Sequence, residues 1–537
     1  MSARLNASRY GRRATASAEP EPWGDDDRQL VTVARNLSTR YLAIGIDAVI
    51  GLMLLPFNVR HLGPSAYGLW MLTSSMTTYF SVLDLGFGGS IVKFVAHYRA
   101  KRDVRGLNEI ASTLFGIFAV VGCIAYGVFV LLALNIRHVV NVGPDQEATA
   151  RALLFTIGVY VSLGFPFSIF GGVINGFQRY DLNNLVGICS SVVVALVNVA
   201  MLSAGCTLVQ LVVATTSVRV LTYVVYRLNA YRVFPALSIR PSLFLWSRVR
   251  ELTGFSVYVS IIDWSNKLNY SIDAIVIGAF LSSAAVTLWT VPQRLAEMLQ
   301  RLTNQLNGVL FPVVVDSDAG QRPERLRAIF IQGTRLSLMS VAPLAAALLM
   351  LARPLIYAWV GPGFEDSILV TQILILVVAI RVGNATATTV LKGAGRHQLL
   401  AFSNAGAALS NVALSLLWIR RFGLVGQAMG TLIPVAVTSM FILWPAACRR
   451  VGIDVGAAFR EAVWPAIWPL AAMACLVIPI RDAMPQRLYS VALASGCGAV
   501  GYVATFLAFA VKREERRVYI AKATEIVRAR RRVAAAA

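Results

Sequence analysis

Apolar residues recur along this chain in runs of about 20, separated by short stretches rich in Lys, Arg, Gly or Pro. At 1.5 Å per residue such a run crosses a hydrocarbon core of ~30 Å, so each predicts one membrane-spanning helix. The first eight spans are predicted at 40–60, 66–92, 109–134, 151–175, 182–204, 207–229, 252–281 and 284–312. Six more are predicted at 328–351, 367–391, 399–420, 424–446, 462–480 and 488–511. Fourteen is an even number, which places both ends of the chain on one side. The predicted fold class is an all-α polytopic membrane protein.

The chain also repeats itself. Leu62 to Trp70 aligns with Leu281 to Trp289, Gly176 to Arg179 with Gly393 to Arg396, and Leu196 to Ala200 with Leu409 to Ala413. Each pair falls at the same place in the helix order. Six spans per unit give the two halves one orientation, so they should relate by an axis along the membrane normal. The predicted organisation is an N-lobe over 35–232, a C-lobe over 246–448 and two appended helices over 456–511. Residues 1–34 hold Glu19-Pro20-Glu21-Pro22 and Asp25-Asp26-Asp27 and read as a disordered cytoplasmic tail. Residues 512–537 read as a second, basic cytoplasmic tail, suited to the surface of anionic membrane lipids.

Composition agrees with this class. Hydrophobic residues make up 57% of the chain, charged residues only 14%, and the mean hydropathy is +0.65. Soluble domains carry about 25% charged residues. A net charge of +22 would suggest nucleic acid in a soluble protein, but here the cations follow the topology. Of 49 Lys and Arg, 35 lie in segments expected inside, 8 in segments expected outside and 6 within spans. The positive-inside rule then predicts a multi-pass protein of the cell inner (plasma) membrane with both termini cytoplasmic, and no nucleic-acid partner. The six cysteines have no ligand spacing, and His61, His97, His138 and His397 sit near span ends. No metal or cofactor is expected.

Two motifs carry a resemblance. Leu62-Gly63-Pro64-Ser65-Ala66-Tyr67-Gly68-Leu69-Trp70, continuing to Leu83-Asp84-Leu85-Gly86-Phe87-Gly88, resembles the first helical pair of the polysaccharide flippases. Ser271-Ile272-Asp273-Ala274-Ile275-Val276-Ile277-Gly278, followed by Ala284 to Trp289, resembles the start of their second lobe, departing from it at Thr287 and Trp289. These are the Wzx-type branch of the multidrug/oligosaccharidyl-lipid/polysaccharide exporter superfamily. The resemblance covers about residues 35–511. It implies two six-helix lobes around a central cavity, two extra helices and alternating access. The implied substrate is a polyprenyl-pyrophosphate-linked oligosaccharide used for O-antigen or exopolysaccharide. The protein is expected to act as a monomer, alongside polysaccharide polymerase or export partners.

Ionisable residues deep in spans are the candidate chemistry, because each costs roughly 2.5–3.5 kcal/mol on insertion scales and rarely faces lipid. Span 7 places Asp263, Asn266, Lys267, Tyr270 and Asp273 on one helical face, and span 8 does the same with Arg294, Glu297, Arg301 and Asn304. Asp47, Arg219, Arg335 and Arg381 stand singly in spans 1, 6, 9 and 10. Along-helix pairing of Asp263 with Lys267 and of Arg294 with Glu297 is the structural alternative. Cations nevertheless outnumber the acids that could neutralise them, and pyrophosphate in a wet cavity would supply the missing anion. Arg219, Arg294 and Arg301, then Arg381 and Lys267, are the expected substrate contacts. Asp47, Asp263, Asp273 and Glu297 are the candidates for a coupling ion. Asp84 is expected near the cytoplasmic interface as a helix-end residue.

Two other readings compete. A multidrug or metabolite antiporter would suit an acidic, aromatic cavity better than a cationic one. A membrane-embedded glycosyltransferase or polymer ligase needs a large outer segment or a paired-carboxylate motif. The longest outer connection, about 135–150, holds neither, so no enzyme is expected. Topology is directly testable. Reporter fusions after Arg105, Arg250 and Arg460 should report cytoplasm, and fusions at Asn141 and Gly361 should report the outside. A reversal at either outer site would redraw the spans.

Overall fold

The computed structural model describes residues 29–80, 87–141, 143–249, 273–483, 485–510 and 516. Most of span 7 lies outside these residues, and with it Asp263, Asn266, Lys267 and Tyr270; so does Asp84. The protein is all-helical and polytopic. Helix α1 (Gln29–Phe80) holds span 1 and the first part of span 2. It turns at Gly63, whose φ of 78° lies in the left-handed region open to glycine. Span 2 resumes in α2 (Phe87–Ala100), and spans 3 to 6 are α3 (Val104–Leu134), α4 (Glu147–Gly176), α5 (Tyr180–Ser203) and α6 (Leu208–Val233). The described end of span 7 is α7 (Asp273–Phe280), followed by α8 (Ser283–Ala319), α9 (Pro323–Met350) and α10 (Asp366–Gly393). Helix α11 (His397–Val437) folds span 11 onto span 12 at Gly423, with φ 56°, and span 12 ends in α12 (Trp444–Val451). Short helical segments from Val455 lead into α13 (Leu470–Ala483), and α14 (Leu488–Thr505) closes the bundle.

Local signals set these boundaries. The Asp103 carboxylate accepts from the Gly106 amide at 2.8 Å and starts α3. Thr207 and Gln210 form a capping box at the start of α6. Among the described residues, ten helices are long and apolar enough to cross a membrane, and two of them are pairs of spans folded about Gly63 and Gly423. Helix α8 falls outside that set.

Helices α1 to α6 pack on one another, and α7 to α12 form a second set; α1 meets α7 and α8 between them. Helices α13 and α14 pack against each other and against α9. There, Met473, Val477, Val491 and Tyr502 are buried against Ala342, Ala346 and Ala347.

The connection after α6 is not a loose tether. Residues 236–248 run along α3 and are held by its side chains. Asn108 donates to the Ala236 carbonyl and accepts from the Ser238 amide, each at 2.9 Å. Ser112 accepts from the Arg240 amide at 3.2 Å and Thr113 from the Leu245 amide at 3.1 Å. Arg248 donates to Glu109 at 3.0 Å and to the Tyr98 hydroxyl at 2.7 Å. Asn108, Glu109, Ser112 and Thr113 are all buried, so water does not compete for these bonds. The strap therefore moves with α3. Asn108→Leu removes one donor and one acceptor, and exchange of the Ser238 amide should speed up at least about tenfold, the equivalent of ~1.4 kcal/mol. Hydrogen exchange measured in the intact protein should show this with α3 itself unchanged. No change at Ser238 would mean that the strap is held elsewhere.

Candidate functional site

Helix α8 carries the charged face. Glu297 lies between Arg294, at 3.6 Å, and Arg301, at 4.0 Å, and accepts from Gln293 at 3.0 Å. All three charged side chains stay substantially exposed, so they face open space within the bundle rather than a packed core. Towards α1, a small cavity of about 30 Å³ is lined by Asp47, Gly51, Leu52, Arg294, Glu297 and Arg301. On its other side, Glu297 and Arg301 reach a cavity of about 200 Å³ shared with Asp273, Trp289, Gln300, Arg381 and Thr431.

Asp273 opens α7 and is buried. It accepts from the Gln427 amide at 2.7 Å, which also donates to Ser415 at 3.0 Å, and Ser415 donates to Asn411 at 3.0 Å. The Gln427 carbonyl oxygen has no hydrogen-bond partner among the described residues. The Arg381 guanidinium lies close enough to act electrostatically on Asp273. A buried carboxylate is thus tied by one polar chain to both limbs of α11, and it lines the same cavity as Glu297 and Arg301 of α8.

The structure brings Asp47, Asp273, Arg294, Glu297, Arg301 and Arg381 together along α8. Among the described residues there, three cations stand with three acids. Arg219 stands apart, in α6, with its guanidinium 5.5 Å from the centre of the Tyr160 ring. Arg335 donates to the Glu461 carbonyl at 3.1 and 2.6 Å, joining α9 to the chain before α13. Lys267 and Asp263 lie outside the described residues, as does the Asn304 side chain. The partners that sequence reasoning missed are Gln427, Ser415, Gln300 and Thr431. Gln427, Ser415 and Thr431 are uncharged polar residues in apolar spans, while Gln300 lies on the charged helix itself, three residues after Glu297. Asn411 did carry a signal, since it falls in the repeated segment around Leu409.

A separate apolar cavity of about 750 Å³ opens between α9, α10, the end of span 12 and the chain before α13. Its walls include Leu338, Val341, Leu376, Met440, Trp444, Phe459 and Leu470, with Asn384, Ser439 and Arg460 as polar exceptions.

The lobes also meet where the sequence repeats. Ser65 and Ser283 hydroxyls are 3.1 Å apart, Thr287 donates to the Pro64 carbonyl at 2.5 Å, and Gln146 bonds both serines. Asn141 donates to the Leu281 carbonyl at 2.9 Å. Gly68 permits this approach, because a Cβ there would lie 1.7 Å from the Ser283 carbonyl oxygen. The first repeat's turn is latched to the second's, at the end of the bundle that the charge pattern assigns to the outside.

The polysaccharide biosynthesis protein family matches residues 33–318, more than half of the chain. The chain belongs to that family. A Haloferax volcanii protein named as a probable flippase, AglR, is 22% identical over 423 residues, 76% of this chain and 83% of that protein. A Shigella flexneri protein named as a candidate O-antigen transporter is 17% identical over 417 residues, 77% of this chain and 97% of that protein. The fold is shared with the lipid II flippase MurJ in an inward closed conformation. The TM-score is 0.65 at 12% identity, with 89% of this chain and 99% of MurJ covered. This member of the polysaccharide biosynthesis family is a membrane protein with many spanning helices.

The latch can be probed directly. In a cysteine-free background, Ser65→Cys should react slowly with a membrane-impermeant maleimide. Adding Gly68→Val, which forces the helices apart, should speed labelling several-fold. Equal rates with and without the valine would mean that this contact does not close the cavity.

Proposed function

We propose that the protein moves a polyprenyl-pyrophosphate-linked oligosaccharide from the cytoplasmic to the outer leaflet of the cell inner membrane, by alternating access. The observation that carries this reading is the pairing of two dissimilar sites in one bundle: a charged cavity along α8 and an apolar cavity of about 750 Å³ beside α9. A lipid-linked sugar needs both, a wet cationic place for its diphosphate and an apolar one for its chain. Arg294, Arg301 and Arg381 are assigned to the diphosphate. Glu297 holds Arg294 and Arg301 only at 3.6 and 4.0 Å, and a diphosphate has the charge and geometry to draw both guanidinium forks away from it. Lys267 is retained as a further candidate contact. Asp273, buried and joined to both limbs of α11, is the preferred coupling group over Asp47, Asp263 and Glu297. The outer latch would open as the inner side closes.

Both termini are assigned to the cytoplasm, and the polymerase or exporter that takes the flipped unit would act on the outer side. A cell lacking the protein should lose one surface glycan while its lipid-linked repeat unit accumulates on the cytoplasmic leaflet. Arg294→Ala and Arg301→Ala, in protein that inserts at normal levels, should each cut export by about tenfold or more, as expected for a hydrogen bond to a charged group. Lysine at the same positions should keep part of the activity. Normal export together with raised sensitivity to cationic drugs would support the antiporter reading instead.

A further inference from the structure

Arg219 lies about 17 Å along α6, near the middle of the span. Val213, Leu221, Val224 and Leu228 are exposed on the opposite side of the helix, an apolar surface suited to lipid. At 3.6 residues per turn, Arg219 instead shares its side with Val212, Thr215, Thr216 and Ala230, which are buried against the rest of the N-terminal set. The arginine is nevertheless exposed. A charge at this depth avoids hydrocarbon, so the arginine is directed to the protein side of the helix rather than to lipid.

No carboxylate among the described residues pairs with Arg219. What holds it is a column of rings. Its guanidinium lies 5.5 Å from the Tyr160 centroid; Tyr160 stacks on Tyr223 at 5.5 Å and 1°, and Tyr223 on Phe167 at 5.6 Å and 24°. Tyr223 is fixed in turn by its hydroxyl, which donates to the Tyr160 carbonyl at 3.2 Å. Gly164 makes room for it, since a Cβ there would lie 2.7 Å from that hydroxyl. A ring face attracts and orients a cation but leaves its charge intact. The N–H edges of the guanidinium thus remain available to an oxyanion. Along α8 every cation has an acid beside it; at Arg219, among the described residues, none does.

We infer that Arg219 and its aromatic column form a second anion site, in the N-terminal set of helices, that receives an anionic substituent on the sugar portion of the substrate. The inference rests on the flippase reading and adds that the glycan is acidic. One diphosphate is already provided for at α8, and Arg219 lines neither cavity there. A second persistent positive charge at mid-membrane then calls for a second negative one, and a uronic acid carboxylate supplies it with bidentate geometry.

The test measures binding to the purified full chain by native mass spectrometry with three lipids. These are undecaprenyl pyrophosphate, the same lipid carrying a glucose trisaccharide, and that lipid with one glucose replaced by glucuronic acid. The acidic glycan should bind about tenfold tighter than the neutral one, the equivalent of ~1.4 kcal/mol. Arg219→Gln should erase this difference while leaving the affinity for undecaprenyl pyrophosphate unchanged, which also shows that the variant is folded. Arg219→Lys should keep part of the preference. Equal binding of the two glycans by the native protein would overturn the inference and leave the flippase reading standing. So would a variant weakened towards undecaprenyl pyrophosphate itself, since Arg219 would then be serving the diphosphate. If none of the three lipids binds, the flippase reading falls and takes the inference with it.

Discussion

A charged side chain inside a bilayer must find either water or an opposite charge, because leaving it in hydrocarbon costs roughly 2.5–3.5 kcal/mol on insertion scales. This constraint decides which face of each helix turns inward. Helix α8 carries Arg294, Glu297 and Arg301 on one side, so that side cannot meet lipid. It is covered by α1, α7, α10 and α11, each supplying a partner or a wall: Asp47, Asp273, Arg381 and Thr431. The packing of the C-terminal set around α8 follows from solvating that one face. The same constraint acts on α6, where the apolar residues take the outer side and Arg219 is turned inward.

Two devices govern how the sets of helices sit against each other. At one end, backbone approaches backbone at Gly68 and Ser283, and small polar side chains from both repeats close the gap with hydrogen bonds. These bonds are few and short-range, suited to breaking and re-forming. At the other end, the chain that leaves α6 is strapped along α3 by buried side chains of Asn108, Ser112 and Thr113. The connection as far as Arg248 therefore belongs with the N-terminal set. A loose connection of the same length would transmit no fixed geometry.

Much of this was legible in the sequence, and the limits are physical. A span is defined by length and apolarity, which are local, so α3 to α6, α9, α10 and α14 begin and end within a few residues of the predicted spans. Gly63 and Gly423 mark turns that a polar loop would otherwise mark, and the repeat pointed to Ala66 and Ala285 as equivalent. That the two repeats touch each other at Gly68 could not be read, because the approach depends on how the lobes dock. Charge counting along the chain likewise predicted surplus cations in one cavity. Of the described cations, Arg294 and Arg301 stand beside Glu297 on α8, while Arg219 lies elsewhere. Gln427 was invisible for the same reason: a single amide acquires meaning only beside the Asp273 carboxylate it bonds.

The central claim is that this bundle carries a lipid-linked glycan across a bilayer, and vesicles test it most directly. The full chain would be reconstituted into liposomes containing an undecaprenyl-pyrophosphate oligosaccharide labelled on its sugar, and the label reaching the opposite leaflet would be followed by its accessibility to an added glycosidase. The account predicts translocation that depends on the protein and is abolished when Arg294 and Arg301 are both replaced by Gln. Translocation no faster than in protein-free liposomes, under a proton or sodium gradient of either direction, would contradict it.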